Sequence, residues 1–243
     1  MRKGVCCIVS SLADRKDNPI RFNTITYARF SSMDRKEAVA SLSSRILNNM
    51  LTTYHYIKYC ADHNHTYRIS SDLFPLITYD KANVKLEDLP DYTRILASFD
   101  SIKKLIQSTG VRISSHPSVE FISLDSEKYE VAINSAKDLN MHSWFQDKIG
   151  LPQDYSNPIN IHIKNEKRNL KDVCDLFMER FNSLLDEGTK KRIVLENNDK
   201  PNSQWNVKNL YETFYVYCEE KYNHKFPITF DYLHNLCCPS FEE

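Results

Sequence analysis

A six-residue pattern that occurs twice constrains the fold of this chain most. Residues 67–72 read YRISSD and residues 111–116 read VRISSH. Each copy has the composition of a short β-strand followed at once by a side chain able to bind a metal, Asp72 and His116. Because side chains alternate across a strand, Asp72 shares a face with Arg68, and His116 with Arg112. The repeat predicts two equivalent strands, each with a polar ligand at its carboxyl end.

The same arrangement returns three times further along the chain. Strand-like segments end in His162, Glu196 and Asp231, and His234 follows the last of them. The carboxyl ends of parallel strands are where α/β folds build active sites. One buried His or Asp is usually a hydrogen-bonded structural residue, but five at equivalent strand ends favour a metal site. The predicted ligands are His116, His162, Glu196, Asp231 and His234, with Asp72 as a further candidate.

The chemistry of this ligand set narrows the choice of metal. Imidazole and carboxylate ligands without a thiolate suit zinc, manganese or iron better than calcium or magnesium. A glutamate such as Glu196 can bridge two ions, and a pair of ions can activate water and stabilise the leaving oxygen of a phosphodiester. His142, which lies beside Trp144 and Phe145 in a predicted helix, is interpreted as a packing residue.

Strands and helices alternate from end to end, which predicts an α/β fold with a parallel sheet. Asp34 is predicted to begin a long helix, and Gly110 to end a later one. We expect one domain, residues 1–243, built as a TIM-type (β/α) barrel that holds six of the usual eight strands. The predicted strands are 5–9, 67–71, 111–115, 159–163, 192–196 and 228–232, and the later predicted helices are 126–148, 170–185 and 207–222.

Composition excludes several classes of protein. The 32 basic residues equal the 32 acidic ones, so the chain carries no net charge that would indicate nucleic-acid binding, although metal-binding carboxylates could offset a basic groove. With only four glycines, the chain has no GxGxxG or Walker motif. Seven cysteines without CxxC spacing predict reduced, structural thiols in a cytosolic or nuclear protein that is not secreted. No apolar run is long enough to span a bilayer.

Five phrases of the sequence resemble the UV damage endonucleases, whose barrel is shared with endonuclease IV-like and xylose isomerase-like enzymes. They are YRISSDLFPL at 67–76, RISSHP at 112–117, NIHI at 160–163, LENND at 195–199 and FDYLH at 230–234. The resemblance covers about residues 4 to 239. It implies nicking of double-stranded DNA on the 5′ side of UV photoproducts by a cluster of two or three divalent ions, manganese or alternatively zinc.

Carried over residue by residue, the resemblance assigns the five strand-end side chains to this cluster. Glu196 and His234 are the expected catalytic residues, and Asp72 stands where some relatives use His. Val119 and Glu120 stand where the family has residues that wedge into damaged DNA, so we expect weaker discrimination of damage. The residues expected to contact DNA are Val119, Glu120, Lys164, Lys167, Arg168 and Lys200.

The resemblance also implies that the family's last two strands, which carry further ligands, are missing. The chain is therefore expected to be truncated relative to the family, and to associate with itself or with a second chain that completes the barrel. Two rival functions stay open at this point. One is a sugar isomerase-type metalloenzyme on the same barrel, which would need a closed sugar pocket in place of a basic groove. The other is a non-catalytic remnant that binds DNA, which metal content and nicking assays would distinguish.

Overall fold

The structure is a computed structural model that describes residues 3–118 and 122–240. Six parallel strands alternate with helices in the order of the sequence. This is the arrangement of a TIM-type (β/α) fold, of which the described residues contain six strands, so the predicted fold class is confirmed. The chain forms two compact units, one from residues 1–116 and 145–152 and one from residues 117–144 and 153–243. The prediction of a single domain stays a prediction.

The first unit contains three parallel strands in the order β1-β2-β3. Val5 is paired with Tyr67, and Tyr67 with Ile113. The strands are β1 Gly4–Cys6, β2 Thr66–Ser70 and β3 Ile113–His116, and the helices are α1 Ser10–Ala13, α2 Tyr27–Ser31, α3 Arg35–Asp62 and α4 Tyr92–Thr109. Short 3₁₀ turns occupy Ser71–Leu73, Asp80–Ala82 and Leu86–Asp88.

The second unit contains strands in the order β4-β5-β6, also parallel. Ile161 pairs with Leu195, and Leu195 with Ile228. The remaining strands are β4 Ile159–Ile161, β5 Ile193–Glu196 and β6 Ile228–Thr229. The remaining helices are α5 Tyr129–Lys148, α6 Leu170–Leu184, α7 Glu187–Lys190, α8 Val207–Leu210, α9 Cys218–Tyr222 and α10 Tyr232–Cys237, and a π-helical segment, Tyr211–Tyr217, joins α8 to α9.

Helix ends follow the capping signals in the sequence. The Asp34 side chain accepts hydrogen bonds from the backbone N–H groups of Lys36 and Glu37, so α3 begins at the predicted position. At the end of α4, Gly110 has φ +64° and its N–H donates to Ile106, which confirms the predicted stop. None of the described helices is both long and apolar enough to cross a membrane.

Strand β4 ends at Ile161, two residues before the predicted end, and two other strand predictions are too long by three residues. β1 ends at Cys6 because Cys7 has φ +58°, a left-handed conformation that breaks the extended backbone, so the prediction that the strand runs to residue 9 is wrong. β6 ends at Thr229, before the predicted residue 232, because Asp231 caps a new helix by accepting a hydrogen bond from the His234 N–H. In both places a local side-chain or turn preference overrides the strand composition.

An aromatic cluster forms the centre of the second unit. Trp205, Phe214 and Phe226 are fully buried, and the rings of Phe214 and Phe226 both pack against Phe177 at centroid distances of 5.3 and 5.4 Å. Edge-to-face aromatic packing of this kind is stabilising beyond the area it buries. The cluster packs with the buried side chains of β4 and β5, Ile161 among them, and so supports the strands whose ends carry the predicted ligands.

One buried amide fixes the segment that follows β2. Asn49 on α3 is fully buried, and its Nδ2 donates to the carbonyls of Asp72 at 2.7 Å and of Asn23 at 3.0 Å. Its Oδ1 accepts from the Asn23 N–H at 2.7 Å. The position of Asp72 therefore depends on a side chain that is distant in the sequence.

We expect Asn49→Ala to destabilise the protein by about 1–3 kcal/mol, because buried backbone groups lose their partners. Asn48→Ala is the matched control, since the Asn48 amide makes one exposed bond to the Arg21 carbonyl and its loss should cost about 1 kcal/mol or less. Urea unfolding of both variants measures the difference. Equal costs would contradict the structural role given to Asn49.

Candidate metal centre

Three predicted ligands converge in the second unit. One ligand atom from each of His162, Glu196 and His234 lies within 4.8 Å of the other two. His162 follows β4, Glu196 is the last residue of β5, and His234 lies in α10 just after β6. Since Ile161 pairs with Leu195, the next residues on the two strands, His162 and Glu196, reach the same edge together. Neighbouring parallel strands thus assemble a ligand set from residues that are far apart in the sequence.

Glu196 is the most buried member of this group. Its residue surface is only 2% exposed. Asn160 Nδ2 donates to Glu196 Oε2 at 3.3 Å, and His234 Nδ1 lies 4.0 Å from Oε1. A buried carboxylate is costly unless cations or hydrogen-bond donors surround it. The arrangement therefore favours a positive charge beside Glu196.

Hydrogen bonds fix the orientation of the His234 ring. Its Nδ1 lies 2.8 Å from the carbonyl oxygen of Asn197. A carbonyl only accepts, so Nδ1 carries a proton, and the neutral ring in this tautomer has its lone pair on Nε2. Histidines that bind metals usually donate their second ring N–H to a carbonyl or carboxylate in this way. His234 is therefore held as a ligand that would coordinate through Nε2.

Asn197 also positions the start of α10. Its Oδ1 accepts from the Asp231 N–H at 2.8 Å, and its Nδ2 donates to the Asp231 carbonyl at 3.1 Å. Asp231 in turn accepts from the His234 N–H at 3.0 Å. This series of hydrogen bonds, from Asn197 to Asp231 and His234, connects the end of β5 to the helix that carries the second imidazole.

His162 presents a nitrogen without a protein partner. Its Nδ1 is buried and has no hydrogen bond among the described residues, and the same holds for Oδ1 of its neighbour Asn160. Burial lowers the pKa of His162, and the nearby Glu196 carboxylate opposes that effect only in part. The ring is therefore neutral near pH 7, which is the form that binds a metal. Buried polar atoms without partners are rare, and a bound ion or water would satisfy them.

The other predicted ligands lie in different surroundings. Asp231 Oδ2 is 3.9 Å from His234 Nε2, so Asp231 adjoins the group while it caps α10. Asp72 lies in the turn after β2, where its carboxylate accepts from the Ser70 hydroxyl at 3.1 Å. His116 ends β3 in the first unit, where its ligand atom groups with the sulfurs of Cys6 and Cys7. Their assignment to one cluster with His162 stays a prediction.

The residues expected to contact DNA follow β4 and β5. The buried Asp125 carboxylate accepts from the N–H groups of Lys164 and Asn165, both at 2.6 Å, and so fixes the loop after β4. Lys167 and Lys200 are exposed. Arg168 is also exposed, but its Nε donates to Glu127 at 2.6 Å, so an acidic neighbour already pairs its charge. Val119 and Glu120 lie outside the described residues.

Sequence reasoning missed the amides that organise this site. Asn160 and Asn197 are both buried. Asn160 donates to Glu196, and Asn197 accepts from the N–H of Asp231, the residue that caps α10. The run of two asparagines directly after Glu196 is the sequence signal for Asn197. Polar side chains at the buried end of a strand need hydrogen-bond partners, so such a run indicates a structured polar network. His142 is buried beside Asp138, as the packing interpretation predicts.

Comparison with known proteins gives a consistent family. The model of the family UV-endonuclease UvdE matches residues 1–242. A UV DNA damage endonuclease of Bacillus velezensis is 31% identical over 222 residues, which is 89% of this chain and 62% of the relative. One of a Nostoc species is 27% identical over 91% of this chain and 62% of the relative. The chain thus spans about three fifths of the length of these relatives.

A solved structure supports the fold. The crystal structure of SacUVDE is similar with a TM-score of 0.74 and 26% sequence identity, and the match covers 100% of this chain and 73% of that one. This likeness agrees with the six parallel strands and with the TIM-type fold class.

We expect Asn197→Ala to loosen the start of α10, because the backbone N–H and carbonyl of Asp231 lose their partners. Amide hydrogen exchange at Asp231 and His234 should accelerate, and stability should fall by about 1–3 kcal/mol. Asn202→Ala, an exposed substitution in the turn after β5, is the control and should change neither quantity. Unchanged exchange at both amides in Asn197→Ala would contradict the positioning role.

Proposed function

The chain belongs to the UV-endonuclease family, and on that premise we propose that it is a metal-dependent DNA repair endonuclease that nicks the phosphodiester backbone on the 5′ side of UV photoproducts. The observation that carries the metal dependence is the convergence of His162, Glu196 and His234 at the ends of neighbouring parallel strands. The observation that carries the substrate is the similarity to UV DNA damage endonucleases over most of this chain.

The residues present fit a divalent cation. His162 offers a neutral ring whose buried Nδ1 has no hydrogen-bond partner within residues 3–118 and 122–240, and the neutral His234 ring would offer Nε2. Glu196 supplies a buried negative charge. A set of nitrogen and oxygen ligands suits Mn²⁺, with Zn²⁺ as the alternative. In the proposal His116, Asp231 and Asp72 complete a cluster of two or three ions.

Divalent ions bound here would supply a hydroxide at neutral pH and offset the negative charge of the attacked phosphate. The protein residues fix the geometry on which this depends. Asn160 orients one oxygen of Glu196, and the Asn197 carbonyl fixes the tautomer of His234. Glu196 and His234 are therefore the proposed catalytic residues, and Asn160 and Asn197 are positioning residues.

Phosphate contacts are proposed for the basic residues after β4 and β5. Asp125 holds the backbone at Lys164, so the loop that carries Lys164, Lys167 and Arg168 has a defined conformation. Lys200 follows β5. Because chemistry at a lesion requires a distorted duplex, the proposal includes bending of the DNA or extrusion of the damaged bases. The expected weaker discrimination through Val119 and Glu120 stays a prediction.

The rival functions differ in what they require. A sugar isomerase would use the same imidazole and carboxylate ligands without any DNA affinity, and a DNA-binding remnant would bind duplex without nicking it. Association with a second chain also stays a prediction. The described residues that follow β6 include large hydrophobic residues that are more than half exposed, namely Phe230, Tyr232, Leu233 and Leu236.

We expect Glu196→Gln to abolish nicking of UV-irradiated plasmid and to reduce the bound Mn²⁺, because the buried negative charge is lost while the shape is kept. Glu220→Gln, on the exposed surface of α9, is the matched control and should leave both quantities unchanged. Metal analysis and a nicking assay on irradiated and intact plasmid make the measurement. Metal content and nicking equal to those of the unchanged protein would refute the assignment of Glu196.

Two substitutions in the loop after β4 should change DNA affinity in opposite directions. Lys167→Gln should weaken binding to all DNA sequences about equally. It should also reduce the slope of the logarithm of the binding constant against the logarithm of salt concentration by about one. Glu127→Gln should strengthen binding, because it releases Arg168 from its acidic partner. Binding is measured by fluorescence anisotropy with a duplex at several salt concentrations.

Lys58→Gln is the control, since Lys58 lies on α3 and is paired with Asp62. Weaker binding in Glu127→Gln would show that the Arg168 side chain does not contact phosphate.

A further inference from the structure

Two sulfurs and an imidazole meet at the strand ends of the first unit. The ligand atoms of Cys6, Cys7 and His116 all lie within 4.8 Å of one another. The two sulfur atoms are 3.5 Å apart. Cys7 and His116 are half-buried and Cys6 is exposed, so the group is open to solvent on one side. The proposed nuclease function does not use the two thiols.

An unusual turn brings the sulfurs together. Side chains of successive residues in a strand point to opposite faces, which would separate Cys6 from Cys7. Here the Ile8 N–H donates to the Cys6 carbonyl at 2.6 Å around Cys7, whose φ is +58°. This is a three-residue turn of a kind that is rare for residues other than glycine. Strained backbone of this type occurs often at functional sites.

The core of the unit supports this turn. The Cys7 N–H donates to the Arg68 carbonyl at 2.9 Å, and the buried Tyr67 hydroxyl donates to the Cys7 carbonyl, also at 2.9 Å. Both polar groups of the Cys7 backbone are therefore satisfied, and the sulfurs do not depend on a flexible loop for their position.

Strand register brings the imidazole to the same place. Cys6 pairs with Arg68 on β2, and Ser70 on β2 pairs with His116 on β3. The three side chains thus come from the carboxyl ends of β1 and β3, with β2 between them. No short sequence motif records this arrangement, because His116 lies 109 positions after Cys7 in the sequence.

We propose that Cys6, Cys7 and His116 bind a thiophilic metal ion, Zn²⁺. This site is separate from the group of nitrogen and oxygen ligands in the second unit, which contains no thiolate. Thiolate and imidazole are the preferred ligands of Zn²⁺, and three protein ligands with one open position are typical of zinc sites that bind a further molecule. The zinc site and the nuclease cluster would compete for His116, because the family resemblance assigns this residue to the nuclease cluster.

A free reactive thiol is the less favoured interpretation. The pKa of Cys7 is raised, chiefly by its hydrogen bond with Cys6 and then by burial, so the Cys7 thiol keeps its proton in the absence of a cation. A nucleophilic cysteine needs surroundings that lower its pKa. A bound metal ion would supply a positive charge that replaces the Cys7 proton.

The test uses Co²⁺ as a spectroscopic probe and Zn²⁺ as its competitor, with the metal-free, reduced full chain. Co²⁺ bound to thiolate gives a charge-transfer absorption that nitrogen and oxygen ligands do not give. We expect this band in the unchanged protein and its loss when Zn²⁺ is added. The double variant Cys6→Ser/Cys7→Ser should lose the band, and His116→Gln should bind Co²⁺ more weakly.

Two controls separate this site from others in the chain. Cys237→Ser changes an exposed member of the second adjacent cysteine pair and should keep the band. Glu196→Gln should keep the band while it loses nicking, so failure of the nuclease proposal can be told from failure of this one. Circular dichroism establishes that each variant is folded, and if the double variant is not, the exposed single variant Cys6→Ser decides the question.

Four results would overturn the proposal. The first three are the absence of a thiolate band in the unchanged protein, a band that persists in a folded Cys6→Ser variant at unchanged Co²⁺ affinity, and a mass that shows a Cys6–Cys7 disulfide which persists after treatment with reductant. Equal loss of the band in Cys237→Ser would assign the thiolate to the other pair and would overturn it as well.

Discussion

The buried carboxylate of Glu196 is the constraint on which the candidate site depends. A negative charge that is almost fully removed from water is costly unless positive charge or donors approach it. Among the groups near Glu196 are the Asn160 amide, which donates to it, and two imidazoles, of which His162 is held in its neutral form by burial. The protein groups around Glu196 are therefore arranged for a cation. Two buried atoms, His162 Nδ1 and Asn160 Oδ1, have no hydrogen-bond partner in the part of the chain that the structure describes, which is consistent with a bound cation or water.

The sequence predicted the strand–helix alternation well because the strands are short segments rich in strand-forming residues and the long helices α3, α4 and α6 have a clear periodicity or cap. It predicted strand ends poorly where a single residue changes the backbone. Cys7 adopts a positive φ that the residue types around it do not predict. Asp231 starts a helix inside a segment rich in strand-forming residues. Such ends are decided by tertiary hydrogen bonds, which a one-dimensional pattern does not contain.

The ligand residues were visible in the sequence because they follow strands, whereas their positioning partners were not. Asn197 acts through contacts with Asp231 and His234, more than 30 residues away, and Asp125 acts through the backbone of Lys164. An Asn or Asp in a loop is equally typical of an ordinary turn. The sequence alone favours structural thiols at Cys6 and Cys7, since zinc motifs are recognised by close spacing and the proposed third ligand, His116, lies on another strand.

Ligand chemistry gives each unit a preference for a different ion. The second unit offers imidazole and carboxylate at His162, Glu196 and His234, a set that suits Mn²⁺. The first unit offers two sulfurs with His116, and soft thiolates select Zn²⁺ over Mn²⁺ by a wide margin. His116 is the residue for which the two proposals compete, because one imidazole nitrogen cannot bind both ions. If zinc occupies the thiols and takes His116 with it, the manganese cluster proposed from the resemblance loses a ligand, so zinc would lower nicking without touching Glu196. Zinc bound at the thiols would then act as an inhibitor whose effect disappears when Cys6 and Cys7 are replaced.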